Sequence, residues 1–339
     1  MATIDDVARD AGVSASTVSY VLSGKRTISA ETQAKVARSV RKLGYRPNAS
    51  ARALASKKSG AIGLVAPFRA DNNVPVLMQF VAAIATAARV HDHDVLLVTQ
   101  EEGEEGLRRV SHTSLVDAVL VMDVEADDSR LPMLRTLGLP SVLIGLPDEP
   151  RGLSCVDLDR RQAAVLAVEH LAQLGHRSIA MVGAPQAVYD RGSAYALRFT
   201  DGFESAAAKR GLAANWVPVE QSFEATRYAV EFLLDADPAP TGLIVQNEAV
   251  LAAVLAVLER RQIRVPEDIS VVAIGPTDLA VNQRVPLTSI DVQAERIGAS
   301  AVEMLMKQLK GDAVSETRLV SPELIQRESS REIPTNKET

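Results

Sequence analysis

The first 22 residues hold the pattern that most constrains the fold: two short helices joined by a tight turn. Residues 3–22 read TIDDVARDAGVSASTVSYVL. Thr3 and Asp6 have the spacing of a capping box, which predicts that a helix begins directly after Thr3. Gly12 ends that helix, because a residue without Cβ adopts the left-handed conformation at low cost. Ser14 is then expected to cap the second helix.

The second helix has one apolar and one polar face. Val18, Val21 and Leu22 recur at helical spacing and can pack against the first helix. The outward side chains are small or polar, namely Ala15, Ser16, Ser19 and Tyr20. This is the layout of a helix-turn-helix, whose second helix presents its N-terminal side chains to base edges in the major groove. A third helix is predicted over residues 30–43, with Ser29 as its N-cap.

The following residues carry a resemblance. The motifs T-I-D-D-V-A, A-G-V-S, S-T-V-S, G-Y-R-P-N and A-R-A-L succeed one another between residues 3 and 54. Their order resembles the DNA-binding headpiece and hinge of the lactose/galactose repressor (LacI/GalR) family of bacterial transcription factors. The rest of the chain, to about residue 330, resembles that family's effector-binding core. The resemblance implies a repressor that binds a palindromic DNA operator as a homodimer and responds to a small molecule, possibly a carbohydrate.

The charge is distributed in agreement with a DNA-binding head. Residues 1–60 hold eleven Lys and Arg against four Asp and Glu, a balance of +7, whereas the remainder holds 26 against 39, or −13. A basic module on an acidic body indicates that only the head approaches a polyanion. The alternative is a basic face that is merely solvated.

The pattern changes after residue 60 from short helices to strands alternating with helices. Apolar runs occupy residues 61–66, 95–99, 118–122, 141–144, 179–182, 242–246 and 270–274. The alternation predicts parallel sheets covered on both faces, and the number of runs predicts two α/β subdomains. The resemblance implies a core similar to periplasmic binding proteins, with crossovers near residues 156, 289 and 320. The expected domains are a headpiece (1–47), a hinge helix and linker (48–60), the core (61–330) and a flexible tail (331–339).

The expected DNA contacts fall into two kinds. The resemblance assigns base reading to Ala15 and Ser16, and it places Tyr20 where Arg is common, which implies a different base pair in the operator. The alternative for Tyr20 is packing on the third helix. Hydroxyl and amide side chains are placed to bond phosphates. The full set comprises Thr3, Ser14, Ala15, Ser16, Thr17, Ser19, Tyr20, Lys25, Thr27, Ser29, Asn48, Ala51 and Leu54. Lys25 and the neighbouring Arg26 have solvation as their alternative.

The hinge is expected to fold only on DNA. An isolated helix of about eight residues is marginal in water. Two hinges pairing across the minor groove would stabilise it. Leu54 would then enter a base step as an apolar wedge, and Ala51 would allow close approach.

The effector residues depart from the family pattern. Asn247 matches an Asn that commonly bonds a sugar hydroxyl, but Gly275 stands where Asp is frequent, and Phe199 stands where Arg is frequent. The remaining candidates are Asn72, Asp123, Tyr189, Arg191 and Arg198, for which an exposed loop position is the alternative. The loss of a carboxylate removes charge-assisted hydrogen bonds to a sugar. A cleft that binds another molecule, or none, therefore stays open.

The sequence predicts no enzyme, cofactor or metal site. G-x-S-x-G, H-E-x-x-H, P-loop and C-x-x-C patterns are absent. Cys155 is the single cysteine and is expected to be a buried hydrophobe. His170 and His176 are expected near a helix end as favourable cations. No apolar run or leader indicates a membrane or export, so a cytoplasmic, DNA-associated protein is expected, and the chain offers no C-terminal tetramer helix. A solute-binding protein and an effector-independent DNA binder are the competing classes.

Overall fold

The computed structural model describes residues 2–23, 26–45, 59–99, 103–112, 115–312 and 315–333. The chain divides into two compact units, residues 1–59 and 60–339. The helices of these ranges are α1 (Ile4–Ala11), α2 (Ala15–Ser23), α3 (Ala30–Leu43), α4 (Val74–Arg89), α5 (Gly103–His112), α6 (Leu131–Thr136), α7 (Arg160–Gln173), α8 (Gln186–Asp190), α9 (Ala194–Arg210), α10 (Phe223–Leu234), α11 (Leu251–Arg260), α12 (Thr277–Val281) and α13 (Ala294–Leu309).

The strands all belong to the second unit. They are β1 (Ala61–Val65), β2 (Asp94–Val98), β3 (Ala118–Val121), β4 (Ser141–Ile144), β5 (Ser154–Leu158), β6 (Ser178–Gly183), β7 (Ala213–Pro218), β8 (Gly242–Val245), β9 (Ser270–Ile274), β10 (Thr288–Ile290), β11 (Thr317–Val320) and β12 (Leu324–Ile325). The predicted two-subdomain α/β fold is confirmed, because the strands form two sheets.

The first unit is a three-helix domain around a small apolar core. Val7, Val18 and Val36, one from each helix, are fully buried. Thr3 forms the predicted capping box with Asp6, and Gly12 ends α1 with a φ of 66°. The local signals in the sequence thus set the helix boundaries here.

The two sheets share one design. The first has the order β11-β5-β4-β3-β1-β2 and is parallel throughout. The second has the order β12-β10-β9-β8-β6-β7, in which only the β10–β12 pair is antiparallel. The inner strands are buried Val, Ile, Leu and Ala runs, as expected for sheets covered by helices on both faces.

The chain passes between the sheets three times, after β5, after β10 and after β11. In the first subdomain α4 and α13 approach closely: a Cβ at Gly298 would lie 3.0 Å from the Cβ of Ala83. Because α4 begins at the carboxyl edge of β1, this contact fixes the helix that starts beside the cleft.

Two segments differ from the sequence expectation. Residues 331–333, expected in a flexible tail, bond to the second subdomain: the Arg331 N–H donates to Ser270 Oγ at 3.1 Å and the Ile333 N–H to the Leu174 carbonyl at 2.8 Å. The stretch expected to be a loop around Tyr189 contains the short helix α8 and the start of α9. Both differences arise from partners distant in sequence.

Candidate nucleic-acid interface and ligand cleft

The N-terminus of α2 carries a cluster of hydroxyl groups. The Thr17 N–H donates to Ser14 Oγ at 3.1 Å, so Ser14 caps α2 as predicted from the sequence. Ser14 Oγ also lies 2.8 Å from Ser16 Oγ and 2.8 Å from Thr17 Oγ1. Ser16 and Ser19 are exposed. A helix N-terminus with exposed hydroxyls is suited to phosphate and base-edge contacts.

Two side chains expected to point outward have protein neighbours instead. Ala15 is half-buried and packs against the headpiece core, because its position in the first turn of α2 faces the apolar cluster of the domain. Tyr20 is half-buried, and the Arg26 guanidinium lies 5.3 Å from the centre of its ring. Arg26 is thereby held beside the exposed end of α2.

The other headpiece candidates lie at helix starts or in the loop before α3. Ser29 caps α3 by accepting from the Thr32 N–H at 3.4 Å. Thr3, Thr27 and Ser29 are exposed. Lys25, Asn48, Ala51 and Leu54 lie outside the described residues, so the base-step wedge stays a sequence prediction.

Asp10 and Glu31 of the headpiece are each paired with a lysine. Lys42 Nζ lies 2.6 Å from Asp10 Oδ1, and Lys35 Nζ lies 2.8 Å from Glu31 Oε1. The hydrogen bond from Lys42 lowers the pKa of Asp10. Arg38 and Arg41 on α3 are exposed. Pairing the carboxylates inside the domain leaves its surface suited to a polyanion.

A cavity of about 180 Å³ lies at the carboxyl ends of both sheets. Its wall is built from loops that follow β1, β3, β4 and β5 of the first sheet and β8, β9 and β10 of the second. The lining residues are Ala66, Pro67, Asp71, Asn72, Asn73, Val76, Leu77, Phe80, Met122, Asp123, Val124, Ile144, Gly145, Asp157, Arg160, Tyr195, Phe199, Gln246, Glu248, Ile274 and Val292. Crevices at the carboxyl ends of strands are the usual ligand sites of such sheets.

A carboxylate and a guanidinium meet at the end of β5. Asp157 is buried, with 4% of its surface exposed, and accepts from Arg160 Nε at 3.3 Å. Burial raises the pKa of Asp157, while the positive charge of Arg160 opposes that rise. The Arg160 guanidinium also lies 5.7 Å from the centre of the Tyr195 ring. The three groups form a polar floor inside an otherwise largely apolar cavity.

Gln246 presents a fixed donor to the cavity. Its Oε1 accepts from the Ala184 N–H and from the Tyr189 hydroxyl, both at 3.1 Å. Because the backbone N–H can only donate, the amide orientation is set. The Nε2 group is buried and has no acceptor among the residues that the structure describes. An unpaired buried donor is costly, so this group calls for an acceptor on a ligand or a water.

Glu248 enters the cavity beside a glycine. A Cβ built on Gly275 would lie only 2.9 Å from the Cβ of Glu248. Burial raises the pKa of Glu248, while the charge of Arg160 and a hydrogen bond from Asn73 lower it. Asn73 precedes α4 in the first subdomain, and Glu248 follows β8 in the second. Their contact therefore spans the cleft.

The loop after β3 is held by a buried ion pair. Asp128 accepts from Arg130 Nε at 2.9 Å and from Nη2 at 2.6 Å. Arg130 Nη2 also donates to the Asp123 carbonyl at 2.8 Å. The Asp123 carboxylate pairs with Arg69. The backbone of Asp123 has a φ of 53°. The pair thereby fixes the part of the loop that lines the cavity.

The structure separates the predicted effector residues into two groups. Asn72 and Asp123 line the cavity, whereas Tyr189, Arg191, Arg198 and Asn247 do not. Phe199, at the position where the family often has Arg, lines the wall, and Gly275 does not.

Protein acceptors explain why these polar groups turn away from the cavity. Arg198 donates to the Leu146 carbonyl at 3.0 Å, and Asn247 Nδ2 donates to the Val219 carbonyl at 2.8 Å. The Tyr189 ring packs on Trp216 with a centroid distance of 5.0 Å. The expectation that these side chains line the cavity is corrected accordingly.

Arg191 joins the subdomains at the mouth of the cleft. Its Nη1 donates to Asp71 Oδ2 at 2.8 Å, and Gln221 Nε2 donates to the Asp71 carbonyl at 2.8 Å. The backbones also meet, because the Ala126 N–H donates to the Gly192 carbonyl at 2.8 Å. These bonds hold the two rims together.

Sequence reasoning did not single out Asp157, Arg160 or Gln246. Each follows or ends a strand on the carboxyl edge of a sheet. For β8, the predicted apolar run already marked this position, so Gln246 could have been identified from the sequence. The strand that carries Asp157 was not among the predicted runs, because an acidic residue interrupts SCVDL. Knowledge of β5 would have placed Asp157 and Arg160 at the cleft.

The cysteine, histidine and carboxylate residues considered in the sequence analysis form no further catalytic or metal site among the described residues. Cys155 is buried, as expected. Among the described ranges, no three His, Cys, Asp or Glu side chains are grouped as a metal site requires. None of the helices in those ranges has the length and apolar character that a membrane span needs. His176 is buried, and burial lowers its pKa to about 4, so the expectation of a favourable cation there is wrong.

A helix-turn-helix unit followed by a two-subdomain core with a ligand-sized cavity is the organisation of a DNA-binding transcription regulator. Residues 3–48 match the family described as bacterial regulatory proteins, lacI family, and residues 168–330 match the periplasmic binding protein-like domain. The HTH-type transcriptional regulator AglR of Rhizobium meliloti is 31% identical over 95% of this chain and 92% of its own length. The chain belongs to the lacI family, whose members are regulators and not enzymes.

Solved structures agree with this assignment. The lac repressor dimer bound to operator and the anti-inducer ONPF is 25% identical, with a TM-score of 0.84 over 97% of this chain and 99% of that one. The complex of the transcriptional regulator CelR with cellobiose is 25% identical, with a TM-score of 0.69 over 97% of this chain and 100% of that one. Both likenesses extend over headpiece and core.

Proposed function

We propose that this regulator is a repressor that binds a pseudo-palindromic operator as a homodimer. The observation that carries the proposal is the capped, hydroxyl-bearing N-terminus of α2 in a headpiece where Asp10 and Glu31 are paired with lysines. A headpiece with a core of so few buried side chains is too small to hold a dimer, so the dimer surface belongs to the core. Two-fold symmetry of the protein then requires a two-fold site. The dimeric, operator-bound lac repressor supports the same reading.

The proposed control is a small molecule in the cavity between the two sheets. Such a molecule would contact both subdomains and change their relative placement, which provides the differential binding that allostery requires. The cellobiose complex of CelR supports a carbohydrate or a related compound. The chain is proposed to act in the cytoplasm, on the nucleoid, where its DNA target lies.

The proposed division of labour follows the expected domains. Residues 1–47 bind the major groove, residues 48–60 connect and enter the minor groove, and residues 61–330 bind ligand and dimerise. The exposed Ser16 and Ser19 are proposed as the base-facing residues, with residues 3, 14, 17 and 29 on phosphates.

The test is selection of bound duplexes from a random library, followed by titration of the winning site against a scrambled duplex at two salt concentrations. A specific regulator favours its site by about three orders of magnitude or more. A winner without two-fold symmetry contradicts the dimer, and the absence of any winner contradicts sequence-specific binding.

Paired variants sharpen this test. Ser16→Ala is expected to relax preference at one base pair in each half-site, since Ser16 is exposed at the N-terminus of α2. The matched control is Ser111→Ala in α5 of the core, whose hydroxyl donates to the Arg108 carbonyl at 2.9 Å. The control is expected to leave the selected sequence unchanged.

A further inference from the structure

We infer that Glu248 is the specificity-determining carboxylate of the cleft, acting with the free donor of Gln246, and that it selects uncharged or cationic ligands over anionic ones. The inference rests on the proposed ligand site and names the chemistry of its occupant. It assigns to the turn after β8 the role for which the family resemblance suggests an Asp at position 275.

The space that Gly275 leaves open is used by Glu248. A Cβ at position 275 would come within 2.9 Å of the Glu248 Cβ and 3.5 Å of its Cγ. Real Cβ atoms do not approach that closely, so with the observed backbone a side chain at position 275 collides with the Cβ at position 248. The carboxylate can thus be supplied from the turn after β8 or from the turn after β9, which are neighbours in the second subdomain.

The donor and the acceptor lie two residues apart on the same turn. Gln246 Nε2 is buried without an acceptor, and its orientation is set by the bonds that its Oε1 accepts. A ligand that satisfies both residues must offer an acceptor to Gln246 and a donor to Glu248. Hydroxyl groups do both.

The net charge of the residues that line the cavity determines which ligand charge is favoured. Of the acidic lining residues, Asp71 is paired with Arg191, and Asp123 is paired with Arg69. Among the described residues that line this cavity, Arg160 is the one cation, and its charge acts on both Asp157 and Glu248. The charge of Arg198 also acts on Asp157, but Arg198 lies outside the lining and is paired with Asp148. One carboxylate is therefore in excess, and a phosphate or carboxylate on the ligand would add a like charge in a poorly solvated space.

The first test measures affinity for matched probes by calorimetry: hexoses, the corresponding hexosamines and the corresponding hexose phosphates. Hexoses or hexosamines are expected to bind, with the phosphates at least about 10-fold weaker. Glu248→Gln keeps the shape of the side chain and is expected to weaken the binders about 10- to 100-fold. Glu224→Gln, an exposed glutamate on α10, is the matched control and is expected to bind as the wild type does.

The second test moves the carboxylate from the turn after β8 to the neighbouring turn after β9. Glu248→Gly and Gly275→Asp are each expected to lose binding, whereas the double variant, in which no Cβ remains at position 248 to meet the new side chain, is expected to recover to within about 10-fold of the wild type. A purely structural role of Glu248 predicts no such recovery. Thermal unfolding of all four proteins establishes that each is folded.

Three outcomes overturn the inference: phosphates bind more tightly than their parents, Glu248→Gln binds like the wild type, or no probe of any class binds. Operator titration of the wild type without ligand is measured in parallel. Specific DNA binding with no effect of the carboxylate overturns this inference alone, whereas loss of specific DNA binding overturns the proposed function.

Discussion

Arg191 of the second subdomain forms an ion pair with Asp71 of the first, with Nη1 2.8 Å from Oδ2 and both side chains largely buried. The loop that contains Asp71 also places Asn72 and Asn73 in the lining of the cavity. An ion pair at the mouth therefore connects the rim of the cleft with its lining.

Arg191→Gln is expected to open the core. Removing the cation leaves Asp71 with the Gln221 contact to its carbonyl only, so the open arrangement gains population, and apparent ligand affinity falls by about 5- to 30-fold. Small-angle scattering should show a larger radius of gyration without ligand. Arg135→Gln, an exposed arginine on α6, is the control and should not change the scattering curve. An unchanged radius for Arg191→Gln would show that the pair does not hold the rims together.

Asp128→Asn is expected to lower the free energy of unfolding of the core by about 3 kcal/mol, because it leaves the buried Arg130 without its carboxylate. The neighbouring Asp127 is exposed and gives a matched control in Asp127→Asn. Urea denaturation of the two variants measures the difference. Equal midpoints would contradict the role assigned to the pair in fixing the loop after β3.

Stability of the core is expected to fall as the pH drops below about 6.5, in part through His176. The ring is 1% exposed and lies within hydrogen-bond distance of Thr241 Oγ1 and Ser270 Oγ, and burial lowers its pKa to about 4. The unfolded state then binds more protons between pH 6.5 and 4. The histidine contribution is complete above this window and is lost through it, by up to about 3 kcal/mol.

The measurement is urea denaturation of the wild type and of His176→Gln at pH 7.5, 5.5 and 4.5. Carboxylates titrate in both proteins, so the difference between the two slopes isolates the histidine. Parallel slopes would refute the assignment, whatever the stability of the variant at pH 7.5.

Ser14→Asp separates capping from phosphate binding. Aspartate caps as well as serine, so the headpiece should keep its stability, while the added negative charge lowers affinity for all duplexes by about 10-fold at low salt. Ser14→Ala should instead lower the stability of the headpiece by about 1 kcal/mol, because the Thr17 N–H loses its acceptor. Thermal unfolding and duplex titration distinguish the two effects. DNA affinity unchanged by Ser14→Asp would place the phosphate elsewhere.

The headpiece was predictable because its signals are local. The Thr3 capping box and the caps at Ser14 and Ser29 join residues three apart, and Gly12 ends its helix through its own backbone conformation. The partial burial of Ala15 was not predicted, because it depends on packing against the other helices of the domain.

The cleft was predictable only in outline. Asn72 and Asp123 follow strands whose apolar runs are evident, so their place at the carboxyl edge could be inferred. Arg198 lies within α9 and Asn247 follows β8, but their side chains are directed by the carbonyls of Leu146 and Val219, which lie far away in sequence. Asp157 interrupts the apolar run of β5, so the strand is not evident in the sequence. Its burial depends on the contact with Arg160 in the next helix.

The three passages of the chain between the sheets have a consequence for how the core can deform. The passage after β10 leads into α13, whereas the passages after β5 and β11 leave two paired strands. The three tethers lie side by side as a strap, because the Asp159 N–H donates to the Val320 carbonyl at 2.9 Å and Gln293 Nε2 donates to the Ser321 carbonyl at 2.8 Å. Such a strap allows bending about one line and resists sliding and shear. Neither subdomain is one continuous stretch of chain, so exchanging a whole subdomain with a relative requires the transfer of more than one segment.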